Sequence, residues 1–504
     1  MQALPTALFS AQQTQEIDRL IINQYGIPGG TLMCRAASAA LDCLQQIWPK
    51  AERILVICGA GNNGGDGYDL ATQAFQKGLK VNVIELTPPS ENKPDAFQAR
   101  QSWLATGQQP MTFDGSLPAA DVIVDSLFGT GLDREVSGDY LDVINAVNAQ
   151  NAADVMSIDV PSGLSANTGK VLGHAIRADA TISFLGLNLG LFTGQGPHYS
   201  GKVYFDDLNA PADVYTDIPS IAQRATFQAM APLLSPRQKT AHKGHFGHLL
   251  IIGGNQGMSG AARIAAEAGA RTGAGLISVA THPQHASWLN CERPELMVKA
   301  IHASDDLKAP AKLASVLCLG PGLGQDQWAR SLFKETLFLP HPKVIDADAL
   351  NLLSQHTQHA GNWILTPHPG EAARLLNCET TDIEADRFAA AKALQQQYGG
   401  IIVLKGAGTI ITNGVETKIA NYGNPGMASG GMGDALTGII GALVAQQLSL
   451  FDAACLGVMV HGMAGDQAAI KGERGLLAMD LIAEIRDIIN PSIDVRVPYA
   501  LLSG

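Results

Sequence analysis

The sequence predicts an α/β fold divided between two units, and three observations carry that expectation. The chain has 504 residues, whereas single domains typically hold ~100 to 200, so at least two cores are needed. Hydrophobic residues make up 46% and charged residues 16%, with 54 glycines, a balance suited to sheets buried on both faces and joined by tight loops. Short β-type runs alternate with helix-length segments, which implies parallel strands with right-handed crossovers.

The elements follow in order. Helical spacing of Ile17, Leu20 and Ile21, and then of Leu32, Met33, Ala36, Ala40, Leu44 and Ile47, predicts two helices before the first strand, parted by the Gly26–Gly30 turn. Strand signals come at RILVIC, KVNVIEL, DVIVDSLFG, DVMSIDVPSG and ATISFLG. Helix-length segments such as Gly67–Gly78 and Tyr140–Asn148 separate them. Residues 209–238 carry four prolines and no strong periodicity, which places a junction there and gives domains at 1–215 and 225–504. A new series opens at His245–Gly254 and continues through GLISVAT, VLCLGPG, KVIDAD, WILTPH and IIVLKG, closing on two apolar helices near 434–447 and 451–470. This makes the second unit the larger.

Composition excludes several function classes. A net charge of -12 offers no broad basic field for nucleic acid. Seven cysteines at 34, 43, 58, 291, 318, 378 and 455 contain no CxxC pair, which argues against a disulfide framework or a zinc site and for a reducing cytoplasm. No cationic and apolar leader is apparent, and the apolar runs fall short of the ~20 residues of a membrane span. The expectation is a cytoplasmic protein with small-molecule partners, no membrane or nucleic-acid contact, and a homo-oligomeric assembly.

Gly59, Gly61 and Gly64 follow a strand signal in GxGxxG spacing, with Glu85 ending the next apolar run. That is the outline of a Rossmann-like dinucleotide loop. The same stretch also carries Asn62, Asn63 and Asp66, which a phosphate cradle does not need. Two other strand ends carry Asp125 with the loop 129–135, and Asp159 with Ser162. In open parallel sheets ligands sit at the carboxyl ends of strands, so these groups share a site if their strands are neighbours. Amide, hydroxyl and carboxylate oxygens are hard ligands, suited to an alkali or alkaline-earth cation. Taken singly, each of these residues reads equally well as a helix cap or an Asx turn.

In the second unit, Asn424–Asp434 is a glycine-rich run that opens into the helix after it. Such a helix start stabilises an anion through free N–H groups and the dipole. Asp434 reads either as an N-cap or as a base acting on a hydroxyl beside a phosphate. Lys405 follows IIVLKG, where it is a phosphate contact or a solvated surface lysine, and His368 between two prolines is a displayed group or a packed loop histidine.

With GNNGGDGYDL, DSLFGTGLDR and SIDVPSG in the first unit, the sequence resembles the YjeF family N-terminal half, the NAD(P)H-hydrate epimerases. The resemblance implies that Asn62, Asn63, Gly64, Gly65 and Asp66, with Gly129, Thr130, Gly131, Leu132, Asp133, Arg134 and Glu135, contact the hydrated dinucleotide. It implies potassium held by Asn63, Asp125 and Ser162, and Asp159 as substrate contact and acid/base beside the nicotinamide C6 hydroxyl. Where the family commonly has a glutamate after Leu-Met in the second helix, this chain has Cys34.

Gly253–Ala261, Gly320–Gly324, Asp346–Leu350, Thr366–Glu371 and the Asn424–Asp434 run resemble the family's C-terminal half, an ADP-dependent NAD(P)H-hydrate dehydratase of ribokinase-like fold. The resemblance implies that Ala261, Gly324, His368 and Asp434 contact the S epimer, and that Lys405, Gly406, Ala407, Gly408, Thr409 and Gly433 bind ADP or AMP. Asp434 would act as base while phosphate passes from ADP, with magnesium, to the C6 hydroxyl, and loss of phosphate would restore the dihydropyridine. Met258 stands where many members carry a tyrosine, so no ring stacking is expected there. Two other readings remain at this stage. One is a small-molecule kinase with a regulatory first unit, the other a first unit that binds without turnover.

Overall fold

The computed structural model describes residues 3–490, and the chain divides into two compact units, Met1–Arg224 and Ala225–Gly504. The division falls inside the proline-bearing stretch.

In the first unit the strands are β1 (Ala7–Phe9), β2 (Arg53–Cys58), β3 (Lys80–Glu85), β4 (Val122–Ser126), β5 (Asp154–Ile158), β6 (Ala180–Phe184), β7 (Leu187–Asn188), β8 (Lys202–Asp206) and β9 (Ala222–Arg224). Six of them form a parallel sheet in the order β3-β2-β4-β5-β6-β8. In β2, Ile54, Val56 and Cys58 pack into one apolar cluster while Leu55 and Ile57 enter another on the opposite face. A strand alternates its side chains, so a strand buried throughout needs a helical layer on each side. The helices Gly29–Ile47 and Asn62–Gln76 supply one layer and Asp139–Ala149 the other. From β2 the chain runs outward to β3 and then returns to β4 on the other side. The carboxyl ends of β2 and β4 therefore flank a topological switch point.

Two sequence expectations need correction. A strand, β1, precedes the two predicted helices, pairing parallel with β7 and antiparallel with β9. Asn62–Asp66 is not a loop: it is the first turn of the helix Asn62–Gln76, with Gly61 at its N-cap.

In the second unit the strands are β10 (His248–Ile252), β11 (Leu276–Thr281), β12 (Met297–Ala300), β13 (Val316–Leu319), β14 (Lys343–Ile345), β15 (Trp363–Leu365), β16 (Ile401–Leu404), β17 (Thr409–Thr412) and β18 (Thr417–Ala420). Their order is β12-β11-β10-β13-β14-β15-β16-β17-β18. Pairing is parallel as far as β16 and antiparallel beyond it. The loop after Leu404 thus turns back on itself as a hairpin, which the parallel pattern of the sequence did not indicate. The apolar helices Met432–Ala445 and Leu450–Ala468 pack with Ser259–Thr272 over Leu249, Ile251 and Val279. A Cβ on Gly438 would stand 1.9 Å from the Ala265 carbonyl oxygen, so the glycine lets two helices cross closely and fixes where Asp434 begins its helix.

Candidate active sites

A cavity of about 730 Å³ opens at the switch point of the first unit. It is lined by Asn62, Asn63 and Asp66 from the helix after β2, by Gly129–Arg134 after β4, and by Asp159 after β5. Asp159 holds φ +70, a left-handed conformation that is uncommon and costly for a residue with a Cβ. Its carboxylate accepts the Thr130 N–H at 2.9 Å. A Cβ on Gly129 would lie 2.5 Å from that carboxylate, so only glycine leaves it room. Burial pushes Asp159 up to about 6, against the Thr130 hydrogen bond and with repulsion from Asp18. Burial, then Asp159, Asp69 and Asp18, holds Asp66 well above the usual carboxylate range.

Asp125 and Ser162 lie just beneath. The Asp125 carboxylate is buried and accepts the Ser157 hydroxyl at 2.7 Å, the Ser162 N–H at 2.9 Å and the Ser162 hydroxyl. Asn63 is 9% exposed, yet both its amide atoms lack a hydrogen-bond partner among the described residues. Its side chain abuts Gly129, whose Cβ would lie 3.5 Å away. The Asn63 amide oxygen, the Asp125 carboxylate and the Ser162 hydroxyl are hard oxygen donors of the kind that suits an alkali cation, and the amide oxygen is buried without a partner among the described residues.

Not every predicted residue reaches the cavity. Glu135 is exposed and outside its wall, and Gly64 and Gly65 are packing positions, where a Cβ would strike the Gly59 carbonyl oxygen and Met33. Cys34 is exposed and off the wall, while its helix still contributes Leu32, Met33 and Ala36. Glu85, the acidic residue of the fingerprint spacing, is absent from the wall. It accepts the Tyr68 hydroxyl and pairs with Arg100, with Nη2 at 3.1 Å. Sequence reading missed Asp18 and Asp95, which line the cavity from two other helices. Asp18 is itself raised by burial and by Asp95.

The second unit gathers charge at the ends of β14, β15 and β16. Asp346, 1% exposed, accepts Lys405 Nζ at 2.8 Å on one oxygen and the Thr437 hydroxyl at 2.8 Å on the other. Glu371 Oε2 lies 3.7 Å from the same ammonium and accepts the His368 N–H at 2.8 Å. Lys405 is therefore not a solvated surface lysine. Burial works against its charge, but Asp346 and Glu371 more than offset this and raise its pKa. A Cβ on Gly433 would sit 3.4 Å from the ammonium, which brings the glycine run to it. Asp434, in the first turn of the helix Met432–Ala445, is pushed up to about 7 by burial and then by Asp346, with Lys405 opposing.

His368 caps the helix Pro369–Leu376, its Nδ1 accepting the Gly370 N–H at 3.0 Å. Burial, then Lys405 and Arg374, lowers its pKa, and its Nε2 lies 3.5 Å from Glu371 Oε1. The Gly324 N–H donates to Asp348 at 2.8 Å, and Asp348 is among the charges felt by Asp434. A Cβ on Gly324 would come 3.2 Å from the Met258 side chain, and one on Gly322 3.1 Å from Ala261. The first glycine loop, the Gly320–Gly324 turn and the aspartate centre are thus contiguous. Ala407 is exposed, and the Thr409 hydroxyl donates to the Gly406 carbonyl at 3.0 Å. The missed partners, Asp346 and Glu371, did stand inside noticed motifs, each following a strand signal.

Two fused α/β units, each with polar groups gathered at the carboxyl ends of its parallel strands, define a two-domain enzyme. Residues 29–190 match the family profile described as YjeF-related protein N-terminus, and residues 249–487 match that of NAD(P)H-hydrate dehydratase. The bifunctional NAD(P)H-hydrate repair enzyme of Coxiella burnetii is 45% identical over 96% of this chain and 100% of its own. That of Escherichia coli is 40% identical over 97% of this chain and 95% of its own. A crystal structure of a hypothetical protein from Streptococcus mutans covers 53% of this chain and 99% of its own, at 32% identity and TM-score 0.50. The chain belongs to the family of bifunctional NAD(P)H-hydrate repair enzymes.

Proposed function

We propose that the first unit interconverts the R and S epimers of hydrated NADH and NADPH at Asp159, and that the second dehydrates the S epimer at Asp434 with ADP as phosphoryl donor. The observation that supports the reading is the placement of one aspartate in each site: Asp159, left-handed and bonded to the Thr130 N–H in the cavity wall, raised by burial to about 6, and Asp434, in the first turn of its helix where it feels both Asp346 and Lys405, raised to about 7. An acid/base works best with its pKa near the working pH. Asp159 would move the proton of the C6 hydroxyl as the hemiaminal carbon opens and closes. Asn62, Asn63, Asp66 and residues 129–134 would hold the dinucleotide. Asn63, Asp125 and Ser162 would hold a potassium ion, which would supply positive charge to a site rich in carboxylates.

In the second unit, Asp434 would take the proton of the C6 hydroxyl as it attacks the terminal phosphoryl group of ADP. The O–P bond forms as the bond to AMP breaks; the C6–O bond then breaks with phosphate as the leaving group, and C5 gives up a proton to water, which restores the C5=C6 double bond of the dihydropyridine. Ala261, Gly324 and His368 would hold the substrate, and Lys405–Thr409 with Gly433 the nucleotide. Among the described residues no three His, Cys, Asp or Glu side chains converge closely enough for a metal. Magnesium commonly reaches such sites on substrate phosphates with one or two carboxylates, and it supplies charge neutralisation there. No helix among the described residues is long and apolar enough to cross a membrane. The reading is of a cytoplasmic homo-oligomer acting on small molecules.

The test supplies the full-length protein with hydrated NADH as mixed epimers, with and without ADP. The reading expects epimer exchange without ADP. With ADP it expects full recovery of dihydronicotinamide absorbance, with one AMP and one phosphate per turnover. Accumulation of a stable phosphorylated product, or recovery that stops at the S fraction, would overturn it.

A further inference from the structure

Arg387 begins the helix Arg387–Tyr398, and its side chain is 1% exposed. Its carboxylate neighbour, Glu384 at 3.3 Å, is half-exposed. Burial holds its pKa below the usual arginine value. A guanidinium kept under such a penalty needs its donors used well. One nitrogen, Nη2, donates to two successive carbonyls, Leu404 at 3.3 Å and Lys405 at 3.0 Å. These are the last residue of β16 and the first of the loop to β17. The guanidinium also lies against Gly406, which has φ +137 and where a Cβ would be 2.8 Å from Nη2.

The peptide unit is planar and trans, so its C=O and the following N–H point in opposite directions. Fixing the Leu404 carbonyl toward Arg387 turns the Lys405 N–H the other way, where it donates to the Pro367 carbonyl at 2.9 Å. Fixing the Lys405 carbonyl likewise turns the Gly406 N–H away from the guanidinium. The Lys405 side chain meanwhile reaches Asp346. The loop is held through its main chain by Arg387 and through its side chain by Asp346. The geometry points to Arg387 as a positioning residue for the nucleotide in the second unit: it sets the direction of the amide that opens the 405–409 loop toward the phosphates. This rests on the reading that this loop takes ADP.

The test uses full-length Arg387→Lys, which keeps the charge and loses the planar fork. The KM for ADP is expected to rise about tenfold, the effect of one hydrogen bond to a charged group, with the KM for hydrated NADH and the epimerisation rate within about twofold. An unchanged ADP KM overturns the inference, as does a parallel rise in both KM values with a lowered melting transition, which marks a purely structural arginine. If that variant does not fold, Gly406→Ala retains Arg387 but crowds the guanidinium, and the same rise in ADP KM is expected. An unchanged value there also overturns the inference. Lys405→Met separates the two levels. If it too leaves the ADP KM unaltered, the nucleotide reading fails; if it alone raises the KM, only the role of Arg387 fails.

Discussion

Asp159 and Asp434 occupy corresponding positions in chemistry and opposite ones in electrostatics. Among the described residues no lysine or arginine forms an ion pair with Asp18, Asp66 or Asp159, although Lys93 and Arg134 line the same cavity. The second centre has its own ammonium, Lys405, within 2.8 Å of Asp346 and 3.7 Å of Glu371. The comparison teaches that raised carboxylates arise in two ways. In the first unit burial and repulsion between carboxylates act with no ion-paired lysine among the described residues; in the second, burial and repulsion from Asp346 act against a lysine already in place.

The largest effect that would break the comparison is an exchange of roles. Asp434→Asn is expected to lower dehydration by about 10³-fold and leave epimerisation intact, and Asp159→Asn to do the reverse. Rates of ADP-dependent absorbance recovery and of epimer exchange, measured on the same preparations, check this. Equal loss of both in either variant, with the fold intact, would refute the two-site assignment. Next comes the built-in cation. Lys405→Met strands Asp346 in a buried position and is expected to destabilise the second unit by about 3 kcal/mol, whereas Asp18→Asn relieves repulsion and raises the melting temperature of the first. Calorimetry of the full chain reads both, and a fall in both cases would show the units to be alike after all.

The proposed potassium ion gives a third test. Replacing sodium by potassium at constant ionic strength is expected to speed epimerisation about tenfold, equivalent to some 1.4 kcal/mol, and to leave dehydration with magnesium and ADP unchanged. The smallest effect is in pH. A group raised in the folded state is protonated below its pKa, so a base there loses activity as pH falls. Dehydration should be half-lost at about pH 7 and the Asp159-dependent limb of epimerisation at about pH 6. The sign for stability is the opposite of a salt-bridged aspartate. The folded state binds this proton more tightly than the unfolded state, so stability falls as pH rises through the carboxylate range to about 7, and Asp434→Asn removes that slope.

What was legible in the sequence was whatever a short stretch contains. The runs that became β2, β4, β5, β10 and β16 are apolar over several residues, and Asp66, Asp159 and Asp434 each follow directly on a strand or glycine signal. The three-residue β1 was not legible, because its partners β7 and β9 lie far along the chain and no local period marks it. Asp18 and Asp95 escaped for the same reason: each sits on a helix whose pattern reports only its apolar side. Arg387 looked like any helix-start arginine, and only the fold shows it under the β16–β17 hairpin. Lys405 was legible as a cation, but not as one already spoken for by Asp346 and Glu371, since those pairings span 59 and 34 positions.

The Glu85 triad has a consequence for selectivity. In cofactor-binding domains of this spacing the acidic residue grips the ribose hydroxyls and repels a 2′-phosphate, which is how such proteins tell one dinucleotide from its phosphorylated form. Here that carboxylate is held by Arg100 and Tyr68, outside the cavity wall. Its negative charge is neutralised where it stands. The acid of the fingerprint spacing therefore stands away from this cavity, and it is not the group that would meet a 2′-phosphate there.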